Sequence, residues 1–257
     1  MENIQSFSFK RILLMMQKTL YENGKSVIIG LSTVFGIFSF ILIISLLNSG
    51  GNAWNNLDGF YYAGLIIAGL FISGMAFSNF RNKEKTMSYI TLPASILEKF
   101  ISEWLLTTVV FIIGYTAIFY AFNFLLILFG NVLNIDVNIV NIFNSEFISV
   151  MPKYFIMQSI FLAGAATFKK SPFFKTIFSW FLFSIFLIVW LSVLVYFLKG
   201  TFETVSFNDQ GAFNIGNNTS YNFENHWFIE GMKYFYYYVS APAFWLYTYF
   251  KLKEKEA

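Results

Sequence analysis

Two short features contain residue types that bind phosphate or catalyse reactions in other proteins. Gly24-Lys25-Ser26 matches the last three residues of a phosphate-binding loop, in which backbone amides and a lysine hold a nucleotide. That loop also needs a glycine five residues earlier, and this position is Thr19. His226 is the single histidine, so a histidine relay or metal site has no second imidazole. We therefore predict no catalytic residue, no metal site and no cofactor.

The composition excludes several further classes of protein. The chain has no cysteine, which rules out a disulfide scaffold, a catalytic thiol and cysteine-ligated zinc or iron–sulfur clusters. The net charge of +3 is small and the basic residues are scattered, so we predict no nucleic-acid partner.

The most informative polar pattern lies between Arg81 and Trp104. Pro93 disfavours a helix at the residue before it. Ser95, followed three residues later by Glu98, fits a capping box, in which the hydroxyl and the carboxylate each accept a backbone amide. We predict a helix that starts at Ser95 and continues into the next apolar run. The loop before it has room for a short surface helix at about 85–90.

The elements that position this segment are predicted to be membrane-spanning helices. Of the 257 residues, 57% are hydrophobic and only 12% are charged, half the charge of an ordinary soluble domain. A bilayer span needs about 20 mainly apolar residues. The chain contains six such runs, at 26–47, 60–80, 103–129, 152–168, 174–198 and 232–250. The runs are continuously apolar rather than alternating, so the predicted fold is a single all-α, polytopic domain over 1–257.

The basic residues predict how this domain lies in the membrane. Segments 1–25, 81–102, 169–175 and 251–257 hold 14 of the 17 lysines and arginines. The positive-inside rule therefore places both termini in the cytoplasm. The spans contain no charge away from their edges, and no buried pair of carboxylates is expected, since Glu103 lies at a membrane edge.

The segment before the first span has the pattern of an amphipathic helix. The residues that share its apolar face are Phe9, Ile12, Leu13, Met16 and Leu20. We predict that this helix lies in the inner interface and ends at Asn23-Gly24. A simple membrane anchor and a docking element both fit this pattern. In the second span, small residues such as Gly64, Gly69 and Gly74 fit either internal packing or a dimer seam.

Six spans, an amphipathic N-terminus and the Leu-Pro-Ala-Ser-x-x-Glu-Lys-Phe sequence at 92–100 resemble bacterial ABC transporter permeases of the type-2 exporter class. The topology match covers the whole chain, and the sequence match is confined to about 77–105. The resemblance implies that a separate ATPase docks on the first cytoplasmic loop. The docking residues it implies are Arg81, Lys83, Glu84, Lys85, Pro93, Ser95, Glu98 and Lys99.

The sequence therefore predicts the membrane subunit of an ATP-driven exporter in the bacterial inner membrane. Its expected partners are a separate ABC ATPase, a second permease chain and membrane lipid. The cargo is expected to be amphiphilic: a lipid, a peptide or a drug. The alternative is a membrane-resident immunity or scaffold protein that transports nothing. The solvated hairpin that such a protein would need at 81–99 also fits the pattern of charges.

Overall fold

The structure is a computed structural model, and it is mainly helical. It describes residues 7–49, 57–80, 83–133, 139–142, 144–199, 205–207, 213–215, 220–221 and 227–256. Arg81 and His226 lie outside the described residues.

Long helices follow one another along the chain, with short turns between some of them. The helices are α1 (Phe9–Ser49), α2 (Leu57–Met75), α3 (Lys83–Ile90), α4 (Ile96–Leu105), α5 (Phe111–Leu133), α6 (Ser145–Thr167), α7 (Pro172–Lys199) and α8 (Trp227–Glu256). A 3₁₀ turn (Ser78–Phe80) follows α2, and a π-helical turn (Leu106–Val110) joins α4 to α5. Strands β1 (Val205–Phe207), β2 (Phe213–Ile215) and β3 (Ser220–Tyr221) pair antiparallel in that order.

Five helical stretches among the described residues are long and apolar enough to cross a membrane. They are Phe9–Ile41, Leu57–Met75, Ile96–Gly130, Ser145–Thr167 and Pro172–Leu194. They overlap the first five predicted spans. Helix α8 covers the sixth predicted span but is not among the five, because its many tyrosines and its lysines make it less apolar. The prediction of a polytopic helical membrane protein therefore agrees with the structure, whereas the sixth span stays a prediction.

The predicted break at Asn23-Gly24 is wrong, because α1 runs through it without interruption. Asparagine and glycine each cost a helix at most about 1 kcal/mol relative to alanine, which the helical segments on both sides override. The Asn23 side chain also lies 3.2 Å from the Ser78 hydroxyl, so a tertiary contact holds it in place. At about 1.5 Å per residue, α1 is about 60 Å long, roughly twice the thickness of a bilayer core.

Two other helices extend beyond the predicted spans. The helical stretch from Ile96 to Gly130 begins at the predicted cap and continues into the third span, as the sequence predicts. Helix α6 begins at Ser145, two turns before Pro152, because the Asn144 side chain caps it by accepting from the Phe147 amide. A single proline inside a helix removes one backbone hydrogen bond and does not stop the helix here.

The small residues of α2 serve internal packing rather than a dimer seam. A Cβ at Gly64 would overlap the rings of Phe38 and Tyr115, and one at Gly69 would overlap Tyr154. These glycines therefore let α1, α5 and α6 approach α2 closely. The resulting core joins aromatic residues of α2, α5 and α6.

A second hydrophobic core lies at one end of the bundle, where α1, α3, α6 and α8 meet. We call this end the junction end. The buried members of this core come from α1, the turn that follows α2, the 3₁₀ turn, α3, α6 and α8; they are Met15, Ala76, Phe77, Phe80, Tyr89, Leu162, Ala165, Ala166 and Leu252. The predicted docking segment lies at this end, since Leu92, Ala94 and Phe100 pack against the same core.

Candidate docking site at the junction of α1, α3 and α4

The predicted capping box is confirmed at the start of α4. The Ser95 hydroxyl accepts from the Glu98 amide at 3.2 Å, and the Glu98 carboxylate accepts from the Ser95 amide at 2.8 Å. Helix α3 occupies the position of the predicted surface helix, with bounds slightly wider than 85–90. Pro93 lies in the turn between the two helices.

Glu98 also links the start of α4 to the start of α1 through hydrogen bonds and an ion pair. Its second carboxylate oxygen accepts from the Ser8 amide at 2.7 Å, from Arg11 Nη2 at 2.8 Å and from Arg11 Nε at 3.1 Å. The carboxylate is fully buried, and the Arg11 side chain is 30% exposed. Glu98 therefore faces inward, and a soluble partner cannot reach it.

A second polar contact ties the same two helices farther along. The Thr19 hydroxyl donates to the buried Glu103 carboxylate at 3.1 Å. Helix α4 therefore buries two carboxylates, Glu98 and Glu103, and each has its own partner on α1. Each contact joins residues more than 80 positions apart, and a single sequence carries no signal for such pairs. The two contacts make α1 and α4 one mechanical unit at the junction end.

Lys99 also faces inward, against α3. Its ammonium lies 5.2 Å from the centre of the Tyr89 ring, and only 2% of the residue is exposed. Tyr89 is buried as well, and its ring packs edge to face on Phe80. A cation over an aromatic face is attracted by about 0.5–2 kcal/mol, so these contacts hold α3 against the bundle.

The exposed apolar residues of the junction are different ones. Met87 is 73% exposed, Leu97 is 42% exposed, and Pro93 is exposed between them in sequence. Lys83, Glu84 and Lys85 form the first turn of α3. Sequence reasoning missed Met87 and Leu97 because the exposure of a single apolar residue on a helix depends on tertiary packing, which the local sequence does not specify.

Hydrogen bonds at the π-helical turn connect the junction to α6 and α8. Its Thr107 hydroxyl donates to the Glu103 carbonyl at 2.9 Å and accepts from the Gln158 side chain at 2.9 Å. Trp245 of α8 donates to Gln158 at 3.1 Å, and Tyr154 of α6 donates to the Thr107 carbonyl at 2.7 Å. A hydrogen bond between membrane helices contributes about 0.6 kcal/mol. This series of hydrogen bonds therefore fixes the relative positions of α4, α6 and α8 but adds little to the stability of the protein.

In the described part of the chain, no three His, Cys, Asp or Glu residues lie close enough together to hold a metal ion. Gly24-Lys25-Ser26 lies within α1, a geometry that does not form a phosphate-binding loop. Comparison of the chain with protein-family models, with curated proteins and with solved structures finds no match.

Proposed function

We propose that this chain is the membrane subunit of an ATP-driven exporter, whose ATP hydrolysis takes place in a separate docking chain. The observation that carries the proposal is the junction itself. A short helix and an exposed apolar surface lie directly before a capped helix that continues, through the π turn, into a membrane-spanning stretch.

A soluble motor can move a membrane helix only through a stiff connection. The Ser95–Glu98 box removes the fraying that an uncapped start of α4 would have. The bonds from Glu98 to Ser8 and Arg11 prevent α4 from moving without α1. A push on α3 would therefore reach two long helices at once. An immunity or scaffold protein needs only a hairpin at this position.

The proposed docking surface consists of the charged first turn of α3 together with Met87, Pro93 and Leu97. A mixed apolar and charged surface of this kind suits a protein partner, since interface cores are apolar and their rims are polar. Glu98 and Lys99 support this surface from beneath, through their contacts with Arg11 and Tyr89. A second permease chain and an amphiphilic cargo remain part of the proposal.

We expect the Met87→Asp variant, and a variant with Lys83, Glu84 and Lys85 all replaced by Ala, to lose the partner. An interface hot spot is worth about 2 kcal/mol, so the affinity should fall about tenfold or more. The measurement is the recovery, with the tagged full-length chain, of the ATPase that is encoded nearest to it. Ile139→Asp is the matched control, because Ile139 is 76% exposed and follows α5, away from the junction core.

Equal recovery of the ATPase with all variants would show that the junction is not its docking surface. If no ATPase is recovered with the unaltered chain, the result favours the alternative of an immunity or scaffold protein. Recovery that depends on Met87 together with ATP hydrolysis that responds to Ser95→Ala would support the coupling role of the cap.

We also propose that α8 is the sixth span, that both termini face the cytoplasm, and that the membrane is the bacterial inner membrane. The apolar face of α1 that the sequence predicts is largely exposed: Phe9 is 62%, Leu13 51% and Leu20 42% exposed. Ile12, which also belongs to that predicted face, is buried in the bundle together with Met15 and Thr19. An exposed apolar stripe beside basic residues suits contact with the inner lipid surface.

Cysteine labelling tests this topology without background, because the native chain has no cysteine. We expect cysteines at Asn56, Asn138 and Asn217, which lie outside the described residues, to react with an impermeant thiol reagent in sealed cells. Cysteines at Lys85 and Lys170 should react only after permeabilisation. Labelling of Lys85→Cys in sealed cells, with Asn217→Cys silent, would reverse the orientation.

A further inference from the structure

An apolar groove of about 280 Å³ lies between α1 and α2 and is closed at one side by the first turn of α7. Its walls include Gly30, Thr33 and Ile37 of α1, Ile67 and Phe71 of α2, and Phe173 of α7. The volume is just below the range of about 300–1,000 Å³ that is typical of small-molecule pockets.

The groove is a built cleft rather than a chance gap between helices. Gly30 has no side chain, and a Cβ there would lie 2.9 Å from the Phe71 ring, so the glycine lets that ring lie on α1. Phe71 in turn packs edge to face on Phe173, with 5.7 Å between ring centres. These three residues form the end of the groove that is nearer the junction end.

The lining offers nothing to a polar ligand. The Thr33 hydroxyl, the one side-chain polar group of the lining, donates to the Ile29 carbonyl at 2.8 Å within α1. Ile29, Ile37 and Ile67 flank the opening and are 67%, 53% and 55% exposed. All the α1 and α2 residues of the groove belong to stretches apolar enough to cross a membrane. The groove therefore fits a hydrocarbon chain that enters from the bilayer.

A basic residue of α1, Lys25, lies beyond the end of the groove that Gly30, Phe71 and Phe173 form. Lys25 precedes Ile29 by four residues and Thr33 by eight, so the three share one face of α1. Lys25 is exposed and lies about 8 Å along the helix axis from Gly30. This is the arrangement that a phospholipid needs: an apolar cleft for an acyl chain, and a cation at the level of its phosphate.

We propose that the α1–α2 groove is a specific site for an anionic phospholipid, with one acyl chain between Gly30 and Ile37 and the phosphate at Lys25. The site is independent of the proposed exporter function, because it would be present in an immunity or scaffold protein as well. A bound lipid would cover the part of Phe71 that is exposed, 36% of the residue, and would give its ring further contacts.

The test is native mass spectrometry of the full-length chain in detergent, titrated with phosphatidylglycerol or with phosphatidylcholine of the same acyl chains. We expect one phosphatidylglycerol to bind with saturation, more tightly than phosphatidylcholine. Thr33→Phe places a ring in the groove from its exposed wall and should weaken binding at least about tenfold. Lys25→Gln should weaken it about fivefold, the effect expected of one basic residue at an anionic surface.

Two control variants match these changes. Ser184→Phe introduces the same ring at a partly exposed position of α7, where the hydroxyl donates to the Trp180 carbonyl much as Thr33 donates to Ile29. Lys253→Gln removes an exposed lysine of α8. Both should bind phosphatidylglycerol as the unaltered chain does.

Several results would overturn the proposal. Equal binding of the two lipids would show that the site does not recognise an anionic headgroup. Equal binding of phosphatidylglycerol by the Lys25→Gln and Lys253→Gln variants would show the same. If Thr33→Phe behaves like Ser184→Phe, the groove is not the site. If Thr33→Phe changes the oligomeric state without changing the lipid count, the groove is a subunit interface.

Discussion

Replacing Arg11 by methionine is expected to lower the free energy of unfolding by about 3 kcal/mol. The variant leaves the Glu98 carboxylate fully buried with only the Ser8 and Ser95 amides as partners. Removing one partner of a buried ion pair usually costs about 3–5 kcal/mol, because the remaining charge is left uncompensated. The Arg11 side chain is 30% exposed, and solvent already screens part of its charge, so we expect the lower end of that range.

The measurement is unfolding by dodecyl sulfate in mixed micelles, followed by tryptophan fluorescence. Lys10→Met is the matched control, because Lys10 is the adjacent cation on α1 and is exposed. The double variant Arg11→Met, Glu98→Gln should be more stable than Arg11→Met alone, since it leaves no unpaired buried charge and keeps an oxygen to accept from the Ser8 and Ser95 amides. If Arg11→Met and Lys10→Met unfold alike, Glu98 does not depend on this pair.

The same pair shows where the sequence is informative about this site and where it is not. The contact between Ser95 and Glu98 spans three residues, so the order of residue types specifies it. The contact between Glu98 and Arg11 spans 87 residues, and nothing in either neighbourhood distinguishes Arg11 from Lys10. The predicted docking segment is therefore right in its helices, whereas the direction in which Glu98 and Lys99 point depends on packing.

Helix α1 illustrates the opposite error, in which a correct local preference is overruled. Asn23-Gly24 is a common helix end, yet the Asn23 contact with Ser78 and the helical residues on both sides outweigh a cost of about 1 kcal/mol per residue. Within the predicted apolar face, Phe9, Leu13 and Leu20 are exposed, whereas Ile12 is buried. Every apolar residue between Phe9 and Leu20 fits some face of a helix, and packing against the rest of the bundle selects Ile12 and Met15 for burial.

The burial of Glu98 also changes how docking should be tested. A Ser95→Ala, Glu98→Ala variant would lose the cap and also release α1, so a lost partner could reflect misfolding. Met87→Asp alters an exposed side chain and leaves these bonds intact. For this reason the exposed residues of the junction, rather than its buried charges, decide the question.

Gly164→Ala is expected to lower the free energy of unfolding by about 1–3 kcal/mol, the usual cost of adding a methyl group to a packed interior. Helices α6 and α7 meet at this glycine. A Cβ there would collide with the Thr176 hydroxyl and would lie 2.9 Å from the Thr176 Cβ and 3.0 Å from its Cγ2. Thr176 cannot turn away freely, since it is buried and its hydroxyl donates to the Pro172 carbonyl at 2.8 Å. The two helices must therefore move apart.

Gly114→Ala is the matched control, because Gly114 also lies inside a membrane-spanning stretch, in α5, and a Cβ there would meet nothing within 4 Å. Alanine is the better helix former, so this variant should be neutral or more stable by up to about 1 kcal/mol. The difference between the two glycines isolates the steric contact from helix propensity. A second change, Thr176→Ala, should recover part of the loss in Gly164→Ala, because it removes the hydroxyl and methyl that collide. If Gly164→Ala is as stable as Gly114→Ala, α6 and α7 are not packed at the distance that the structure gives.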